Sequence, residues 1–199
     1  MKGNILISLL LTGLIFTTGC VPEFKNPLPA PTVKKADPAL IGTWVSEPSK
    51  AGNIYQVSFF GRKSGWMDIV FIDGPGQYDG VDVSIFEAYS TNVNKVKFLC
   101  FRPREQDRQD EKNVKSTYML AHYQLSNEGI LLVSLFDQDK VEGMIEKGLL
   151  KGKFKEVNRK KELIKVVSSS KTIASVIAEK GFESFISKKD SVKFRKLKQ

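Results

Sequence analysis

One histidine and two cysteines stand among 22 acidic residues as the side chains of this 199-residue sequence with the most chemical reach. His122, in "AHYQL", would have to serve any nucleophile–histidine–acid arrangement, yet the chain has no Gly-x-Ser-x-Gly elbow, and a strand histidine is ordinarily hydrogen-bonded or half-exposed. Asp73, Asp79 and Asp82, in "DGPGQYDGVD", offer oxygen ligands to calcium, but their spacing does not match an EF-hand loop, and clustered Gly and Asp read as a turn. Asp110 and Glu111 fall in "RPREQDRQDEK", a mixed-charge stretch expected to be a solvated loop. A lone histidine without clustered thiols makes a poor metal site. The expectation is a non-catalytic protein with no metal and no cofactor.

The cysteines pose a different question. Cys100, in "KVKFLCFRP", is expected to be a small buried hydrophobe on a strand, and it is the only intramolecular disulfide partner that Cys20 has. Cys20 follows a positive start at Lys2, the apolar run "ILISLLLTGLIF" from Ile5 to Phe16, and the small residues Thr17, Thr18 and Gly19. That order is the order of a secretory signal, and the run falls short of the roughly 20 apolar residues that span a bilayer.

The string "TTGC" placed there resembles the lipobox of bacterial lipoproteins, with Thr17 departing from the large apolar residue usual at its position. The resemblance implies cleavage of residues 1–19, a diacylglyceryl thioether on Cys20, and attachment to the cell envelope by acyl chains worth about 0.8 kcal/mol per buried CH₂. It also implies the outer membrane where the host has two, because Val21 replaces the Asp that holds such proteins in the inner one. Residues 20–37 carry Pro22, Pro27, Pro29, Pro31 and Pro38 lies just beyond. They are expected to form a semi-rigid extended tether, at about 3.1 Å per residue, holding a domain of residues 38–199 off the bilayer.

Charge is uneven along the chain. Residues 140–199 hold 17 Lys and Arg against 7 Asp and Glu, and the rest 14 against 15. A basic third suggests nucleic acid, but an exported protein rich in Lys rather than Arg is a weak fit, and nucleic acid is set aside. An anionic membrane surface or envelope polymer is the functional alternative to a solvated lysine face.

The elements that must position all of this are short strands with turn residues between them. Strands are expected at 40–47, 54–61, 65–73, 81–89, 95–101, 116–125 and 130–136. A short helix ending at Gly148, two strands in "LLKGKFKEV" and "ELIKVVSS", a helix over "SKTIASVIAEKGFESFIS", and a closing strand "SVKFRKL" follow. The count favours a mainly β fold: a closed antiparallel barrel of about eight to ten strands with a C-terminal helix and a short additional one.

"DPALIGTWVSE" resembles the start of a lipocalin, with its Gly-x-Trp motif at Gly42, Thr43 and Trp44. The resemblance implies a basic residue of the last strand packed over Trp44, with Arg195 the first candidate and Lys193 the second. A looser similarity, carried by "YMLAHYQLSNEGILLVSLFD", "VEGMIEKGLLKGKF" and "ESFISKKDSVKFRKL", is to a group of uncharacterised bacterial lipoproteins.

In such a barrel Phe59, Phe60, Trp66, Phe71, Phe86, Phe98 and Phe101 line either a packed core or a pocket for a small apolar ligand. The leading expectation is a lipid-anchored envelope protein that holds such a ligand. The alternative is a filled barrel that contacts an envelope protein or anionic polymer. The anchor itself has a direct check: labelled palmitate is expected on the wild-type protein and to be lost in Cys20→Ser, and equal labelling of that variant would remove Cys20 as the attachment point.

Overall fold

Strands that alternate apolar and polar residues bury one face, whereas strands that are apolar throughout must bury both. Both kinds occur here, and they build two cores on opposite sides of one sheet. The computed structural model describes residues 21–30, 36–48, 54–74, 82–104, 117–157 and 160–197. Cys20, the segment 1–19, Asp79, Asp110 and Glu111 lie outside the described residues.

Seven strands follow one another as an antiparallel meander: β1 (Gly42–Ser46), β2 (Tyr55–Gly61), β3 (Met67–Asp73), β4 (Asp82–Val93), β5 (Val96–Pro103), β6 (Met119–Leu125) and β7 (Ile130–Phe136). After them come α1 (Gln138–Glu146), β8 (Gly152–Val157), β9 (Lys160–Val166), α2 (Ser170–Lys180) and β10 (Ile186–Lys196). β10 pairs with β7 on one side and β1 on the other, closing an eight-strand barrel, while β8 and β9 form a separate hairpin. The described residues thus form a mainly β fold with a lipocalin-like barrel and two α-helices. Asn94 and Lys95, both at positive φ, make the two-residue turn between β4 and β5.

The inner core follows from the alternation. Val57 and Phe59 of β2, Met67 and Ile69 of β3, Leu99 of β5, Leu131 of β7 and Phe194 of β10 point inward with Trp44. The outer core exists because β4 to β7 are apolar on their other face as well. Tyr89, Phe98, Cys100, Leu120 and Phe136 leave the barrel wall outward and are covered by Val141 and Met144 of α1, Ile173, Val176 and Ile177 of α2, and Leu150 and Val166 beside the hairpin. Each helix is started by a side-chain cap: Asp137 accepts from the Lys140 amide at 3.0 Å and Ser169 from the Thr172 amide at 3.1 Å.

Strand ends differ by up to four residues from the sequence expectation, β4 running on to Val93 and β6 starting at Met119, and two boundaries near the C-terminal end move further. The helix expected over "SKTIASVIAEKGFESFIS" ends at Lys180, because Gly181 turns to φ +78. A 3₁₀ turn at Phe182–Ser184 then redirects the chain, so β10 starts at Ile186 rather than at Ser191. Phe182 and Phe185 therefore leave the helix pattern, and Phe185 packs on Phe136 with ring centroids 5.3 Å apart.

The larger correction concerns the proline-rich stretch. Its described residues do not hold the domain at a distance: Phe24 and Leu28 are fully buried in the outer core. Phe24 and Tyr118 exchange backbone hydrogen bonds at 2.8 Å, the Lys25 amide donates to the Val166 carbonyl at 2.8 Å, and the Val166 amide donates to the Glu23 carbonyl at 2.7 Å. Thr91 donates to the Pro29 carbonyl at 2.7 Å, and the Tyr89 hydroxyl donates to that of Leu28. Proline fixes φ without preventing side-chain burial, and the apolar residues between the prolines find a face of the barrel that needs covering. The domain begins by residue 21, not 38. Phe24→Ala is expected to cost about 3–5 kcal/mol and Leu28→Ala about 2–5 kcal/mol in urea unfolding; a change below about 0.5 kcal/mol for both would restore the free tether.

Candidate ligand-binding cavity

The inner core does not fill the barrel. A cavity of about 140 Å³ remains, walled by Val57, Phe59, Ile69, Phe71, Phe86 and Leu99 on one side and Phe101, Ala121, Val133, Leu135, Val192 and Phe194 on the other. Every lining side chain is hydrocarbon. Phe86 and Phe101 meet edge to face at 5.7 Å, and Phe71 stacks on Tyr55 at 5.8 Å. The smallest side chain in the lining is Ala121 of β6, which stands between Leu99 of β5 and Leu135 of β7.

Four of the aromatic residues named as ligand candidates, Phe59, Phe71, Phe86 and Phe101, line this cavity. Phe98 does not. It lies an odd number of residues from Phe101 on β5, so the strand's period of two turns it outward, where it is fully buried in the outer core. Trp66 also lies elsewhere, before β3, with its ring 5.1 Å from Tyr89 and the Arg102 guanidinium 5.5 Å from its centroid. Phe60, next to inward Phe59, is exposed.

One end of the barrel is closed by the segment that leads into β1. Leu40 is buried there, and its carbonyl accepts a 2.7 Å hydrogen bond from the Trp44 indole. The cation over that indole belongs to Lys196, with Nζ 5.3 Å from the ring, and not to Arg195. The register decides it: Lys196 is the direct partner of Trp44, whereas Arg195 is opposite Val45, exposed, and 3.4 Å from Glu47. Lys193 is also exposed. Gly42 completes the device, for a Cβ at that position would stand 2.8 Å from Lys196 Cε, and its φ of +123 is itself a glycine conformation. The Gly-x-Trp pattern thus has a physical content here: the glycine clears the path by which Lys196 reaches the tryptophan.

Asp37 ties the same segment to the wall. Its carboxylate accepts from Lys97 at 2.8 Å, from the Tyr123 hydroxyl at 2.8 Å and from the Ala39 amide at 3.0 Å. Burial by itself would raise the Asp37 carboxyl, but these hydrogen bonds outweigh it and hold the group below its ordinary value. Tyr123 is pushed up by burial and by the carboxylate it donates to.

At the other end Asp73 and Asp82 face each other across β3 and β4. Burial first, and the Asp82 charge second, raise the Asp73 carboxyl. His122 lies outside the barrel, buried, with its ring stacked on Phe182 at 4.2 Å and edge-on to Phe98 at 6.1 Å. Burial lowers its pKa against a small opposing pull from Glu183, and its Nδ1 has no hydrogen-bond partner among the described residues. Among the described residues no carboxylate is hydrogen-bonded to the ring. Cys100 is an unpaired, fully buried thiol whose pKa burial pushes up to about 12.

Set beside protein-family models, curated protein sequences and solved structures, the chain matches none of them.

The Asp37 cluster gives a pH dependence with a definite sign. A carboxyl lowered in the folded state contributes stability above its unfolded value of 3.8, and that contribution is lost as pH falls through the lower folded value. Asp37→Asn is expected to cost about 1.5–3 kcal/mol at pH 7, the worth of hydrogen bonds to a charged group, and to flatten the loss of stability seen in the wild type below about pH 4. Denaturant melts across pH check this; parallel profiles for the two proteins would dismiss the role given to Asp37.

Proposed function

We propose that this protein is a lipid-anchored component of the bacterial cell envelope that binds a small apolar ligand inside its barrel. The observation that carries the binding part is the cavity of about 140 Å³ with an entirely hydrocarbon lining. Apolar voids of about this volume stay dry and accept ligands the size of benzene. The ligand class is therefore a small aromatic ring or a short hydrocarbon chain.

Chemistry supports holding over turnover. A reaction needs an acid, a base, a nucleophile or a charge-stabilising donor within hydrogen-bond reach of the reacting atom, and the lining contains no such group. The strongest polar clusters lie outside the cavity: Asp37 with Lys97 and Tyr123 at the closed end, and Arg62, Asp68, Glu87 and Arg102 on the outer surface. The location part rests on the signal-like run before Cys20 and on the "TTGC" string, with Val21 favouring the outer membrane where there are two.

Native mass spectrometry of the protein purified gently from its host tests the binding. A reproducible adduct that vanishes on denaturation is expected, of a mass suited to a ligand of roughly benzene size. Ala121→Phe, which fills the cavity from β6, is expected to abolish the adduct while retaining a cooperative melt. A protein-only mass for the wild type, or an adduct that survives in Ala121→Phe, would count against the cavity as its seat.

A further inference from the structure

The groove between the N-terminal segment around Phe24 and the β8–β9 hairpin holds three lysines without a counterion among the described residues. It has a volume of about 550 Å³, and Lys25, Lys153 and Lys165 stand around it with Thr117 and Tyr118. Lys153 and Lys165 are direct cross-strand partners, an arrangement in which like charges destabilise the ladder. Lys25 brings a third positive charge from the N-terminal segment, held there by the hydrogen bond its amide donates to the Val166 carbonyl. Among the described residues none of the three makes an ion pair. Further along the same hairpin Lys155 is paired with Glu162 at 3.3 Å, so the hairpin does supply counterions where the groove is not involved.

We infer that this groove seats the anionic headgroups of the bilayer in which the chain is anchored. The inference rests on the lipid-anchor reading and adds an orientation to it. Position carries it along with charge. Glu23 and Lys25 are bonded to Val166 at the edge of the hairpin, and Cys20 is covalently joined to Val21. Five residues of fully extended chain reach about 18 Å at most, so acyl chains on Cys20 keep the leaflet surface within that distance of Lys25. A free tether would have carried the groove away from the membrane; burial of Phe24 and Leu28 brings it there.

A lysine beside an anionic leaflet strengthens association roughly fivefold, and three together about a hundredfold, screened by salt. The barrel is then held with the β8–β9 hairpin against the lipid.

Lysine acetylation read by mass spectrometry tests the orientation, using the protein extracted from its host membranes and placed in phosphatidylcholine vesicles with or without phosphatidylglycerol. Lys25, Lys153 and Lys165 are expected to react about fivefold more slowly when phosphatidylglycerol is present, with the difference lost in high salt and exposed Lys63 and Lys171 unaffected. Equal rates with and without phosphatidylglycerol overturn the inference. Protection by soluble polyphosphate without protection by phosphatidylglycerol also overturns it, in favour of a soluble polyanion. The intact mass of the same sample reports the acyl chains separately: an unacylated Cys20 removes the anchor, while the footprint of that protein added to the same vesicles still decides whether the groove meets anionic lipid.

Discussion

Closure of the barrel by β10 is the constraint on which the other features depend. β1 and β7 are the first and seventh strands of the meander and would be the two open edges of a seven-strand sheet, each with a row of unpaired amides and carbonyls. β10 satisfies both at once, pairing Trp44 with Lys196 and Ser46 with Phe194 on one side and Val192 with Val133 on the other. Its arrival from the far end of the sequence fixes the register of every strand relative to the first. Lys196 falls on Trp44 for that reason, and Arg195, one residue away, falls outside.

The chain between β7 and β10 has a second task. β4 to β7 carry apolar residues on both faces, so a barrel alone would leave Tyr89, Phe98, Leu120 and Phe136 in water. α1, the hairpin, α2 and the N-terminal strand supply the missing layer. Removing that layer from water stabilises the wall by roughly 25 cal/mol per Å² of apolar surface. His122 and Cys100 pack in this layer, which explains their burial.

The inner face obeys a different limit. An eight-strand barrel has an interior that side chains can just fill or that leaves space for one small ligand, and here a small side chain decides between the two. Ala121 lines the void from β6, where a leucine or phenylalanine would extend into it. Because the surrounding phenylalanines and valines are all apolar, the space that remains can reward hydrocarbon and little else.

Much of this architecture is written in the sequence because it depends on local periods. The alternation in "YQVSFFG" and "MDIVFID", the turn residues between strands, and the caps of α1 and α2 are short-range properties, and they place ten strands and two helices within a few residues. Gly42 and Trp44 mark the closed end in the same way. The tertiary structure alone decided the rest. Which of Arg195 and Lys196 meets Trp44 depends on a register set by a partner strand some 150 residues away in the chain. Phe98 and Phe101 are chemically alike, and only the wall's orientation sends one to the outer core and the other to the cavity. The prolines around Phe24 and Leu28 argue for a spacer, but whether such a chain floats or packs depends on an uncovered apolar face elsewhere, and no local pattern encodes that.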